Sequence, residues 1–170
     1  MKGYVSVEIP VKPYIKAFMR RELDPEFKLT PSVHVIYNKL YDLLERHQNP
    51  DMVDAKCKYG EKVKIFVPLA IFRRRGCNLN HTNIRSFNRF VEGLIKHRFH
   101  RLMDDLIDIH PTFDGNLPHV RRRLGIDLEA WSDDSMKKDY YRSRLKRKLP
   151  LLYKNFAVSV PSEKAENKAF

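Results

Sequence analysis

The sequence has little cysteine, and this scarcity excludes several classes of protein. Its two cysteines, Cys57 and Cys77, match no zinc-ligand spacing and are too few for the disulfide framework of a small secreted domain. The N-terminal residues carry Glu8 and no long apolar run, so no signal peptide is expected. No stretch approaches the roughly 18 uninterrupted apolar residues of a membrane span. These absences predict a soluble, cytoplasmic protein that does not contact membranes.

The familiar motifs of enzymes are also missing. The chain has only 6 glycines, and none builds a phosphate-cradling loop or flanks a serine. There is no Cys-x-x-Cys motif for redox or metal chemistry. We therefore predict a non-catalytic protein that needs no cofactor and no metal.

The chain is instead rich in positive charge, which lies in two blocks. The net charge is +12 over 170 residues. Residues 56–101 contain 12 Lys and Arg but only 2 acids, and residues 119–148 contain 10 basic residues and 5 acids. A surface that serves only solubility mixes its signs along the chain. This clustering favours a polyanionic partner, DNA or RNA.

Periodicity predicts an α+β fold that is mostly helical, in one compact domain over residues 1–155 with a disordered tail at 156–170. Strands at 4–9 and 62–67 are expected to pair, with a basic turn at 71–77. Apolar residues at helical spacing predict helices at 13–23, 31–47, 82–109, 117–124 and 133–148. Pro150 is expected to end the last of these helices. Most aromatic residues fall on apolar stripes and are expected in the core.

The first candidate nucleic-acid site is a helix-turn-helix-like unit at about 116–149, which gives the fold a possible winged-helix character. Two helices are separated by a turn that contains Gly125, which is the outline of that motif. Many antiparallel helix pairs share this outline, so a solvated basic helix is the alternative. The predicted contacts are Arg121, Arg122, Arg123, Lys137, Lys138, Tyr141, Arg142, Arg144, Lys146, Arg147 and Lys148.

The second candidate site is the more basic of the two blocks. Three consecutive arginines, Arg73, Arg74 and Arg75, follow the second strand and could lie along phosphates like a wing. Arg85 and Arg89 share one face of the long predicted helix with Lys96 and His100. A solvated face with no partner is again the alternative.

Three other functions rest on weaker patterns. The long apolar stripe at 84–109 could be the seam of a homo-oligomer, or of a basic subunit that docks on an acidic partner. The acidic segment 102–118 could hold a divalent metal for phosphodiester hydrolysis. Its candidate ligands are Asp104, Asp105, Asp108, His110 and Asp114. His97 and His100, three residues apart, could bind zinc, but their cationic neighbours disfavour a metal. The preferred prediction is a non-catalytic DNA-binding regulator of transcription or replication.

Overall fold

The computed structural model describes residues 3–23, 27–29, 34–46, 59–107 and 109–156, and only the backbone of residues 146–156. The chain divides into two units, Met1–Ser132 and Asp133–Phe170. The described elements of the first unit are β1 (Tyr4–Val11), α1 (Pro13–Glu22), α2 (Val35–Leu43), β2 (Glu61–Pro68), α3 (Leu69–Arg75), α4 (His81–Ile107) and α5 (Phe113–Leu124). The second unit contains α6 (Asp133–Phe156).

The two strands form an antiparallel sheet in which Tyr4 lies opposite Pro68 and Val11 lies opposite Glu61. Alternate residues of each strand point to one face, as the period of a strand requires. The inner face is apolar and buried: Ile9, Val11, Val63, Ile65 and Val67. The predicted pairing of the two segments is therefore confirmed.

Helix α4 is the centre of the first unit, where it packs against α1, α2, α5 and β1. A buried amide fixes its position on the sheet. Asn88, only 1% exposed, accepts a hydrogen bond from the N–H of Lys12 and donates to the carbonyls of Pro10 and Ile84. These bonds satisfy the backbone where β1 gives way to α1, so α4 is locked in register with that junction.

The segment after α5 folds back onto the core of the first unit. Gly125 ends α5 with a left-handed backbone (φ 68°), as its position in the sequence predicts. In the turn that follows, Trp131 is buried, stacked on Tyr14 at 5.2 Å between ring centroids and packed edge-on against Phe99 at 5.4 Å. The turn is thereby held against α1 and α4.

The predicted fold class, α+β and mostly helical with a small antiparallel sheet, is confirmed, and the described residues contain six helices rather than about five. Residues 69–75 form a helix and not a turn, because Pro68 stands just before its first residue, where no N–H is needed. Helix α5 begins at Phe113, about one turn before the predicted start, and contains Pro118 near its amino end. Pro118 is the sixth residue of the helix and lies beyond the N–H groups that have no partner within it, so the helix lacks one bond, to the carbonyl of Asp114.

Two further boundaries differ from prediction. Helix α2 spans Val35–Leu43, which is shorter than the predicted 31–47, and His34 caps its start by accepting a hydrogen bond from the N–H of Ile36 at 3.4 Å. Residues 30–33 and 47 lie outside the described residues. Helix α6 continues through Pro150 to Phe156, because a proline removes only one bond of the helical ladder and a long helix can absorb it as a kink. The predicted disordered tail lies, from residue 157 onward, outside the described residues. Within the described part, no helix has the length and apolarity that a bilayer crossing requires.

Candidate nucleic-acid interface

Helix α4 has two stripes of residues that wind along opposite sides. Its buried stripe repeats every four residues: Phe87, Val91, Ile95, Phe99 and Met103. Its exposed stripe also repeats every four residues: Arg85, Arg89, Gly93, His97 and Arg101. The two sets are offset by two positions, which is about 200° around an α-helix. The exposed residues therefore point directly away from the core, and we call these five positions the basic stripe.

The basic stripe differs from the predicted face beyond its second turn. A step of four residues overshoots the helical repeat of 3.6, so both stripes rotate by about 40° at each step. Lys96 consequently lies closer to the core and pairs with Glu92 at 3.1 Å. His100 is partly buried, with its ring 5.4 Å from that of Phe99. His97 and Arg101 occupy the exposed positions beside Arg85 and Arg89 that were predicted for Lys96 and His100.

Sequence reasoning overlooked His97 and Arg101 as companions of Arg85 and Arg89. The usable signal was the spacing of four between large apolar residues from Phe87 to Met103. If the buried residues of a helix repeat every four positions, its outward-facing residues repeat every four positions as well. The apolar stripe predicted at 84–109 instead extended to Ile109, which is 70% exposed.

The three consecutive arginines occupy the last turn of α3, and all three are exposed. Their helix end is fixed by Arg46, whose guanidinium donates to the carbonyls of Arg74 at 3.0 Å and Arg73 at 3.2 Å. The guanidinium of Arg75 lies over the ring of Tyr41 at 4.9 Å. The backbone that presents these arginines is thus rigidly anchored, and their exposed side chains are presented to solvent.

A short connection joins α3 to the start of the basic stripe. Gly76 has a φ of 82°, and a Cβ there would lie 2.2 Å from the carbonyl oxygen of Glu45. The backbones of Glu45 and Asn78 exchange two hydrogen bonds, at 2.9 and 3.1 Å. The Glu45 carboxylate also accepts from the amides of Asn80 and Asn83. This connection holds α3 and the first turn of α4 to the end of α2.

The arginines of α5 divide into one that supports the fold and two that face solvent. The guanidinium of Arg121 donates to the carbonyls of Asp127 at 2.7 Å and Trp131 at 2.5 Å. It thereby closes the turn after α5, and this use of its donors favours a structural role. Arg122 and Arg123 are exposed.

In the second unit, the predicted contacts lie along α6. Lys138, Tyr141 and Arg142 are exposed, whereas Lys137 and Arg144 are partly exposed. The side chains of Lys146, Arg147 and Lys148 lie outside the description, although their backbone is helical. The two helices of the predicted helix-turn-helix exist, but they belong to different units, so their mutual arrangement stays a prediction.

The described part of the acidic segment contains no assembled metal site. Asp108 lies outside the described residues. Among the residues with described placement, no group of three or more His, Cys, Asp or Glu side chains is close enough to hold a metal ion. His97 and His100, the histidine pair on α4, belong to no such group among the described residues. Asp104 and Asp114 both have interaction partners.

Comparison of the chain with known protein families, with curated proteins and with solved structures finds no match.

Proposed function

We propose that this protein binds duplex DNA without catalysis, as a regulator of transcription or replication, and that the basic stripe of α4 contacts the phosphate backbone. The observation that carries this proposal is the stripe itself: Arg85, Arg89, His97 and Arg101 are exposed along a long helix, opposite its buried stripe, at positions that wind around the helix by about 40° at each step. Successive positions rise by about 6 Å, so the stripe covers about 24 Å of helix. Arginines placed along a helix in this way can contact a row of phosphates.

The acids of this block support the proposal because neither of them neutralises the stripe. Glu61 pairs with Lys16 at 2.5 Å, and Glu92 pairs with Lys12 at 2.6 Å and with Lys96 at 3.1 Å. Among the described residues, no carboxylate lies within ion-pair distance of Arg85, Arg89 or Arg101, so these arginines keep their charge for a partner. A row of uncompensated positive charge is costly to the fold through self-repulsion and useful for capturing a polyanion.

Salt-dependent binding to a labelled duplex of about 20 base pairs tests this function, with the full chain as the protein. We expect the affinity to fall steeply with salt, and replacement of both Arg85 and Arg89 by Gln to reduce the logarithmic salt slope by about 2. Arg21→Gln removes the same kind of charge from an exposed position on α1 and serves as control. Binding that is absent at low salt, or equally weakened by the control, would refute the proposal.

The other predicted contacts form separate arms of the same experiment. Gln replacements at Lys138 and Arg142 test α6, and replacements at Arg73 and Arg74 test α3. If α6 carries base contacts, its variants will lose discrimination between duplex sequences. Variants of α3 and α4 that contact phosphates will instead weaken binding to all duplexes alike.

A further inference from the structure

The outer face of the sheet has an unusual composition for a solvent-exposed surface. It presents two aromatic rings, Tyr4, which is 41% exposed, and Phe66, which is half-buried. Because Ser6 lies opposite Phe66 and Tyr4 opposite Pro68, the two rings are diagonal neighbours across the strands. Diagonal pairs on one face of a sheet lie about 7–8 Å apart at the backbone, within reach of aromatic side chains. Both rings thus lie on the outer face of the sheet, and we call this pair of side chains the aromatic platform.

Lysines surround this platform. The ammonium of Lys28 lies 5.9 Å from the centroid of the Tyr4 ring, and that of Lys64 lies 5.5 Å from the centroid of Phe66. Both distances are near the outer limit of a cation–π contact, about 6 Å, so the lysines border the rings and are not packed tightly onto them. Lys62 is exposed on the same face of β2.

A groove continues from the platform towards α1. It encloses about 310 Å³ and is lined by Lys16, Arg20, Phe27, Lys62, Val63, Lys64 and Phe66. The segment Phe27–Leu29 runs beside β2 and bonds to the backbone of Phe66, whose N–H donates to the carbonyl of Phe27 and whose carbonyl accepts from the N–H of Leu29. Next to Val63, the edge of β2 forms one wall of the groove.

The acidic side chains near this surface form ion pairs with lysines. Glu8 pairs with Lys62 at 3.1 Å, and Glu61 pairs with Lys16 at 2.5 Å. Within the described part of the chain, Lys64 has no carboxylate within ion-pair distance, whereas the charge of Arg20 also acts on Glu61. Four basic side chains thus face two acidic ones, and the groove keeps a net positive charge beside the aromatic platform.

We propose that this surface binds single-stranded nucleic acid, with bases stacked on Tyr4 and Phe66 and the phosphate backbone led into the groove by Arg20 and Lys64. Aromatic rings joined to a positively charged groove are the combination that proteins use for single strands, because every base has a face to stack and every linkage a phosphate to neutralise. A duplex does not fit this surface, since its bases are stacked on each other. The site is therefore separate from the basic stripe of α4 and does not depend on it.

Binding of labelled oligo(dT) and oligo(U) of about 12 nucleotides to the full chain tests the proposal. We expect Tyr4→Ser to weaken single-strand binding about tenfold, whereas Tyr4→Phe keeps the ring and the affinity. Lys64→Gln should reduce the salt slope by about 1. None of these variants should alter duplex binding, and Arg85→Gln should weaken duplex binding without affecting the single strand. The two oligonucleotides separate DNA from RNA.

Two controls accompany the binding measurements, one for the stability of the variants and one for the position of the substitution. Tyr4 is exposed, so the melting temperatures of its variants should stay near that of the wild type. Leu128→Ser removes another exposed apolar side chain, 58% accessible in the turn after α5, and should leave single-strand binding unchanged. Failure of the wild-type chain to bind either oligonucleotide at low salt would overturn the proposal, as would equal affinities for Tyr4→Ser and Tyr4→Phe. Loss of duplex binding alone would count against the stripe and not against this site.

Discussion

The ammonium of Lys12 lies 2.6 Å from a carboxylate oxygen of Glu92, which ties the junction between β1 and α1 to the middle of α4. Lys96 contacts the other oxygen of the same carboxylate at 3.1 Å. Burial alone would raise the pKa of Glu92, but hydrogen bonds from the two lysines outweigh burial and hold the pKa below its ordinary value of 4.5.

This lowered pKa predicts how stability depends on pH. The contribution of Glu92 is present above the unfolded-state pKa and is lost as the pH falls through the lower, folded-state pKa. We expect Glu92→Gln to reduce the free energy of unfolding at neutral pH by about 1 kcal/mol and to make the further loss below about pH 4.5 smaller than in the wild type. Urea unfolding at several pH values measures both effects. Identical pH profiles for the variant and the wild type would contradict the prediction.

Asn88 is expected to be among the residues most sensitive to substitution. Its buried amide bonds to the N–H of Lys12 and to the carbonyls of Pro10 and Ile84, and Asn88→Ala removes these three hydrogen bonds and creates a cavity. We predict a loss of about 2–4 kcal/mol in the free energy of unfolding. Asn38 is exposed on α2, so Asn38→Ala should change stability by less than about 0.5 kcal/mol. Chemical denaturation measures the free energy of unfolding of both variants. Equal values would mean that the hydrogen bonds of Asn88 contribute nothing to stability.

Arg121 and Arg122 are neighbours in sequence with opposite expected effects. Arg121→Gln should lower stability by about 1–3 kcal/mol, because carbonyls of the turn lose charged donors. Arg122→Gln should leave stability unchanged within about 0.5 kcal/mol, since its side chain is exposed. If α5 contacts DNA, Arg122→Gln will also weaken duplex binding. Thermal melting and duplex titration of both variants separate the two roles, and a stable Arg121→Gln protein would refute the structural one.

The pattern of the sequence predicted elements better than it predicted surfaces. The alternation at 62–67 and the β-branched run at 4–9 located both strands, because a strand with one buried face shows its period directly. The helix at 69–75 was missed because three adjacent arginines carry no apolar repeat, and Pro68 is read equally well as the end of a strand or the start of a helix. Local pattern does not distinguish these two outcomes; the packing of Leu69 beside Gly3 does.

The candidate site shows the same division. Composition located the charge, but it could not tell which arginines serve the fold. Arg121 is engaged by carbonyls up to ten positions away in sequence, and Arg98 pairs with Glu22 at 2.5 Å. Such long-range partners have no local signature. The platform of Tyr4 and Phe66 was missed for a related reason: the expectation that aromatic residues belong to the core does not say which face of a sheet is covered.

Gly93 offers the sharpest test of the basic stripe. It lies at the middle of the stripe between Arg89 and His97, and a Cβ built there meets no atom within 4 Å. Glycine inside a helix costs about 0.5–1 kcal/mol relative to alanine, so Gly93→Ala should raise stability by about that amount. Gln and Glu are good helix formers of nearly equal size, and both should be tolerated here.

The two larger substitutions differ in charge alone, which separates electrostatics from shape. Gly93→Glu places a negative charge among the cations of the stripe and should weaken duplex binding about tenfold relative to Gly93→Gln. The difference should shrink as salt rises, because screening reduces interactions between exposed charges. Equal duplex affinities for the Glu and Gln variants at low salt would show that DNA does not approach this side of α4. The duplex would then have to be bound by α3, α5 or α6.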